Sequence, residues 1–145
     1  MEQVYTFRVA GVTMDGRQAI LKKLRRVLKK RAGGKLKDAL SRLKYKQGLA
    51  SIRTRLRLEP ENEHDDKAVA IDVYSGSRGW LNIGYVPAKT TLGKGKKKAK
   101  LKDIVNVLVK HKLILEVRLT RLEFFKNEEE ELIYFCFVTI EYETV

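Results

Sequence analysis

The segment Ser51-Ile52-Arg53-Thr54-Arg55-Leu56-Arg57-Leu58 sets Ile52, Thr54, Leu56 and Leu58 in alternation with Arg53, Arg55 and Arg57. A period of two is the signature of an extended strand with one buried and one wet face. Immediately upstream, over residues 16–46, the apolar spacing is helical instead. Ile20, Leu21, Leu24, Val27 and Leu28 fall on one stripe, and Leu36, Ala39, Leu40 and Leu43 form a second that ends before Gly48. Asp15 and Gln18 have the spacing of a capping box, and Gly33-Gly34 should stop the first helix. The switch of period at Ser51 therefore predicts a helical hairpin inserted between two strands. The earlier strand is Val4 to Val12, with Tyr5, Phe7 and Val9 on one face and Thr6 and Arg8 on the other.

Downstream, the polar loop Glu59 to Lys67 leads into a strand from Ala68 to Tyr74, whose Val69, Ile71 and Val73 share a face. Ser75 to Gly79 reads as a hairpin loop into Trp80 to Val86. After Pro87 comes a flexible stretch with a lysine-rich loop over residues 92–100, then a third amphipathic helix carrying Leu101, Ile104, Val105 and Leu108. Strands follow from Leu113 to Phe124 and from Leu132 to Tyr142, the last apolar on both faces and so expected to be central. About six strands with helices at two connections predict an α+β fold, a small curved β-barrel in a single domain over residues 1–145.

The charge is unevenly placed. Across 145 residues there are 31 Lys and Arg against 18 Asp and Glu, a formal net charge of +13. Residues 22–46 hold twelve bases against Asp38, and residues 94–112 hold eight against Asp103, leaving a mildly acidic body. Concentrated positive charge favours a polyanion, because each neutralised phosphate releases counterions. The longest apolar run is too short to cross a bilayer, and the acidic Glu2 near the N-terminus is unlike a secretion signal, so a cytoplasmic protein is expected. The single Cys136, set among apolar and aromatic neighbours, reads as a buried thiol.

The run Leu58-Glu59-Pro60-Glu61-Asn62-Glu63-His64-Asp65-Asp66-Lys67-Ala68-Val69-Ala70-Ile71, followed by Ile83-Gly84-Tyr85-Val86-Pro87, resembles the HIRAN domain family. Val9-Ala10-Gly11-Val12 is similar to that family's first strand, and the resemblance covers residues 4–14 and 49–142. It implies a small β-barrel that binds DNA, in some members the 3′ end of a single strand, and a link to helicases or other DNA-processing proteins in repair or replication. Carried over by position, Asn62 and Asp65 belong to the motif loop and Tyr85 to the binding groove. Thr13, Met14 and Asp15 stand where end-binding members carry basic and aromatic residues, and His64 replaces an aromatic often found before the loop Asp. Residues 16–47 are an elaboration.

The candidate nucleic-acid contacts are then Arg53, Arg55 and Arg57, Tyr85, the loop residues Asn62, His64 and Asp65, the helical bases Lys22, Lys23, Arg25, Arg26, Lys29 and Lys30, and the loop lysines Lys96, Lys97 and Lys98. The three strand arginines read equally well as a solvent face paired with acids on a neighbouring strand. The acidic loop could hold a hard cation, although Asn and Asp bonding their own backbone explain it more simply. Tyr74, Trp80 and Tyr85 could stack bases or line the barrel wall. No Gly-rich phosphate loop or zinc-binding cysteine pattern is present, and no cofactor is expected. The expectation is a non-enzymatic DNA-binding domain with a preference for single strands or ends. The alternatives are a protein-interaction module that recruits an acidic partner through the helical insert and a metal-dependent nuclease using the acidic loop.

Overall fold

A computed structural model describes residues 1–14 and 16–144. The fold is α+β. Its strands are β1 (Glu2–Arg8), β2 (Thr54–Leu58), β3 (Val69–Ser75), β4 (Gly79–Tyr85), β5 (Thr91–Leu92), β6 (Ala99–Lys100), β7 (Ile114–Lys126) and β8 (Leu132–Glu143), and its helices are α1 (Arg17–Arg31), α2 (Ala39–Ala50) and α3 (Leu101–Lys110). Three antiparallel sheets result, ordered β1-β8-β7, β2-β3-β4 and β5-β6. Among the described residues the six expected strands are joined by two short ones, β5 and β6, and the hydrogen bonds close no barrel. The predicted central strand is central: β8 lies between β1 and β7, with Cys136, Val138 and Ile140 buried on its inner face.

The two larger sheets meet at one point. Past β1 the chain leaves its ladder, and Ala10 exchanges two backbone hydrogen bonds with Tyr85 of β4, N–H to O at 2.8 and 2.9 Å. Gly84 makes this approach possible. Its φ is +150°, and a Cβ there would sit 2.3 Å from the Ala10 carbonyl oxygen and 2.6 Å from a methyl of Val9. On the far side β7 packs against β2. The core between the sheets is filled by Val69, Ile71, Val73, Ile83, Leu119 and Leu122, with Leu21, Leu28 and Leu49 contributed by the two inserted helices.

Helix α1 ends as its glycines predict, with the Gly34 N–H donating to the Lys29 carbonyl in a Schellman closure. Of the capping box, Asp15 lies outside the described residues, and the Gln18 side chain is committed elsewhere, donating to the Val12 and Tyr134 carbonyls and accepting from the Tyr134 N–H. Helix α2 departs further from expectation. It begins at an Asp38 cap on the Ser41 N–H, runs past Gly48 to Ala50, and buries Ser41, Tyr45 and Leu49. The predicted Leu40 and Leu43 face solvent instead. Tyr45 decides the orientation, because its hydroxyl donates to the Leu122 carbonyl of β7 at 2.7 Å within the core. Burial pushes that phenol up to about 12.

The lysine-rich loop, expected to be flexible, has a fold of its own. β5 and β6 pair across a 3-10 turn at Gly95–Lys97, with Lys96, Lys97 and Lys98 exposed. Cys136 is fully buried, and desolvation pushes its thiol up to about 12, far from any nucleophilic state.

Candidate nucleic-acid interface

Three clusters of functional side chains emerge, and they divide the predicted residues among different tasks. The first lies on the outer face of β2-β3-β4. Register places Arg55 opposite Asp72, and Asp72 opposite Asn82. Arg55 Nε donates to Asp72 at 2.9 Å, and Arg57 donates through Nε at 2.7 Å while its other nitrogens reach Asp72 and Glu59. Asn82 completes the shell at 3.1 Å. Burial works against the Asp72 charge, yet the hydrogen bonds from Arg57, Arg55 and Asn82 outweigh it and hold the carboxyl below its ordinary pKa.

Of the three predicted phosphate contacts, Arg57 is therefore occupied by two carboxylates and Arg55 by one. Arg53 lies just before β2 rather than on it, over the rings of Tyr74 at 4.7 Å and Trp80 at 5.4 Å. Arg55 also covers Trp80, at 4.3 Å, so the aromatic faces of this sheet are capped by guanidinium groups.

This network sets a pH dependence. Asp72, Glu59 and Asp65 all have lowered pKa values in the fold, so each contributes stability that is complete above the unfolded carboxylate range near pH 4 and is lost as pH falls through the folded values. Asp72→Asn should cost about 2 kcal/mol at pH 7 and flatten the acid limb of the stability curve, as read by urea unfolding between pH 7 and pH 2. An acid limb identical to that of the parent would show that Asp72 carries none of it.

The second cluster is a cleft of about 340 Å³ where the two sheets meet. Its walls are Ala10 and Gly11 after β1, Tyr85 at the end of β4, the Asn62–Asp65 loop, and the first turns of α1 and α3. All three motif residues carried over by the resemblance, Asn62, Asp65 and Tyr85, line it together with His64. The loop is shaped by its own side chains. Asn62 Oδ1 accepts from the His64 and Asp65 N–H groups at 2.9 and 3.0 Å, and its amide donates to Glu59. The Tyr85 hydroxyl donates to Glu59 at 2.7 Å, which together with burial raises the phenol's pKa. Among the described residues no three of His, Cys, Asp and Glu converge to hold a metal ion.

Two cations complete the cleft, and neither was singled out in the sequence. Arg17 is 8% exposed, donates from a terminal nitrogen to the Gly11 carbonyl at 2.8 Å, and lies over the Tyr85 ring at 5.2 Å. Lys102 bonds Asp65 at 2.6 Å, lowering that carboxyl's pKa. Both stand in the first turn of a helix, where the macrodipole disfavours a positive charge. A base in that position is a local sign of a tertiary task, and it is the signal that sequence reading could have used.

No protein-family model, curated protein or solved structure matches the chain.

The third cluster comprises the remaining bases. Lys22, Arg26 and Lys30 follow one another at helical spacing on the exposed side of α1, with Lys29 beside them. Lys23 points to the other flank. Arg25 is not part of this row. It packs over Phe124 at 4.7 Å and Tyr45 at 5.9 Å, and its Nε is buried without a hydrogen-bond partner. Arg17, at the cleft, lies about 140° around the helix from Lys22, so the row occupies a different face of α1 and extends about 12 Å from Lys22 to Lys30. The lysine turn ends at Lys100, two residues before Lys102 in the same cleft.

The outer face of β1-β8-β7 offers a contrast. Phe125, Phe135 and Phe137 form a row there, with Arg8 and Arg121 over the rings. Glu123 pairs with Arg121, and Glu116 and Glu141 pair with Arg118, so this face has no surplus of positive charge. Among the described residues no helix is long and apolar enough to cross a membrane.

Proposed function

We propose that the chain is a non-enzymatic DNA-binding module of the HIRAN type, taking a single strand, or its end, in the cleft beside Tyr85 and holding the phosphates that follow with its two basic segments. The observation that carries this reading is the cleft itself, where Arg17 at the start of α1 and Lys102 at the start of α3 stand with Tyr85 and the motif loop, although 85 positions separate the two bases. Tyr85 supplies an aromatic wall, and base stacking on such a face contributes about 1 to 3 kcal/mol per base.

The strand arrangement is compatible with this reading without forming a closed barrel: β2-β3-β4 joins β1-β8-β7 through the Ala10–Tyr85 bridge, and β7 packs back on β2. Bases concentrated in two segments favour binding to a polyanion. In this reading a helicase or another DNA-processing protein is the natural companion.

Fluorescence anisotropy with single-stranded, duplex, forked and 3′-blocked DNA, and with RNA, at two salt concentrations tests the proposal. Single strands should bind most tightly with a steep salt dependence, and Tyr85→Ala and Arg17→Gln should each weaken them about tenfold while the fold is kept. Equal affinity for every probe, unchanged by either substitution, would reduce the protein to a general polycation and remove the cleft from the account.

A further inference from the structure

A groove of about 500 Å³ runs between α1 and the β3–β4 hairpin, well separated in its lining from the cleft at Tyr85. Its floor is aliphatic, built from Ile20, Leu24 and Val27 of α1 with Ile52, Val73 and Leu81. The apolar stripe of α1 is broader than the core can cover. Leu21 and Leu28 are buried, Ile20 and Leu24 are half-buried, and Val27 is 38% exposed. Around the rim stand Lys23 and Arg31 from α1 and Arg78 from the hairpin on the opposite wall, and among the described residues no carboxylate lines the groove.

We propose that this groove is a docking site for an acidic peptide segment that lays apolar side chains on the floor and directs carboxylates to Lys23, Arg31 and Arg78.

Charge complementarity and spacing single out this occupant. Lys23 and Arg31 are eight residues apart on α1, about 12 Å along its axis. An extended peptide advances about 3.3 Å per residue with alternate side chains on opposite faces. Acidic residues at alternate positions therefore reach both ends of the rim while the intervening apolar residues face inward. An amphiphile with one anionic head would match only one of the three cations. Nucleic acid suits the groove poorly, because bases need aromatic faces. The floor is aliphatic, and among the described residues Tyr74 is the one aromatic in the lining.

The test uses the full chain and a short fluorescein-labelled peptide alternating Asp with Leu, read by anisotropy. Binding is expected, weakened about tenfold or more when Ser replaces every Leu in the peptide, and likewise when Asn replaces every Asp. In the protein, Lys23→Glu with Arg31→Glu and Arg78→Glu, or Val27→Asp alone, should cause a comparable loss. Lys96→Glu with Lys97→Glu and Lys98→Glu, which removes as much positive charge elsewhere, should leave peptide affinity within about threefold. The peptide arms need no variant and so do not depend on any variant folding. Failure of the Asp/Leu peptide to bind overturns the proposal, as does equal binding of the Ser peptide or an equal loss in the lysine-turn variant. Displacement of the peptide by an oligonucleotide that itself depends on Lys23, Arg31 and Arg78 would assign the groove to nucleic acid and overturn it as well.

Discussion

Replacing Gly84 with alanine is expected to destabilise the fold by about 3 to 5 kcal/mol, and to weaken DNA binding in whatever fraction remains folded. The new Cβ would meet the Ala10 carbonyl oxygen at 2.3 Å, a backbone atom that cannot rotate away, and φ at +150° suits no L side chain. Strain of this kind costs about 1 to 3 kcal/mol. If residues 9–10 withdraw to relieve it, the paired hydrogen bonds between Ala10 and Tyr85 are lost, at about 1 kcal/mol each. Those residues also form one wall of the cleft, so stability and binding should fall together. Urea unfolding reads the first effect and anisotropy with a single strand the second. Gly76→Ala in the β3–β4 turn is the control. Its Cβ meets nothing within 4 Å and its φ is ordinary, so a change within about 0.5 kcal/mol is expected. If the two variants unfold at the same urea concentration, the bridge contributes nothing to holding the sheets together.

Neutralising the α1 row, with Gln in place of Lys22, Arg26, Lys29 and Lys30, is expected to lower affinity for single-stranded DNA about a hundredfold or more at low salt. It should also flatten the slope of log affinity against log salt by up to about 3, since each phosphate contact on a single strand contributes about 0.7. The same variant should fold at least as well as the parent, because these side chains lie outside the core and their removal relieves repulsion between like charges. Arg25→Gln should behave in the opposite way, with little change in the salt slope and a loss of stability, because its guanidinium packs between Phe124 and Tyr45. A salt slope unaltered by the four-residue variant would take the row out of the interface.

Much of the architecture was legible in the sequence. Strands β3, β4, β7 and β8 fall within two residues of their predicted bounds, because alternation of apolar and polar residues is a local signal that burial of one sheet face enforces. Helix α1 was legible at both its stripe and its glycine stop. Helix α2 was less so: Leu40 and Leu43 made the stronger local pattern, but Tyr45 could bury its ring and satisfy its hydroxyl on the Leu122 carbonyl, 77 positions away. A hydrogen-bond partner at that distance leaves no trace in hydrophobic periodicity. For the same reason the lysine run read as a flexible loop, since its short β5–β6 ladder buries almost nothing.

The sequence by itself determined the order of helices and strands, the central position of β8, the segregation of positive charge into two segments and the motif around Asn62, Asp65 and Tyr85. Only the tertiary structure decided which charges are free to meet a ligand. Cross-strand register put Asp72 beside Arg55 and Arg57, and packing of α3 put Asp65 beside Lys102, so all three cations are paired within the fold, while the first turn of α1 brought Arg17 into the cleft. The physical reason is one of range. Periodicity, caps and turns are set by neighbours a few residues away, whereas the availability of a cation depends on which carboxylate the packed sheets place within about 4 Å of it.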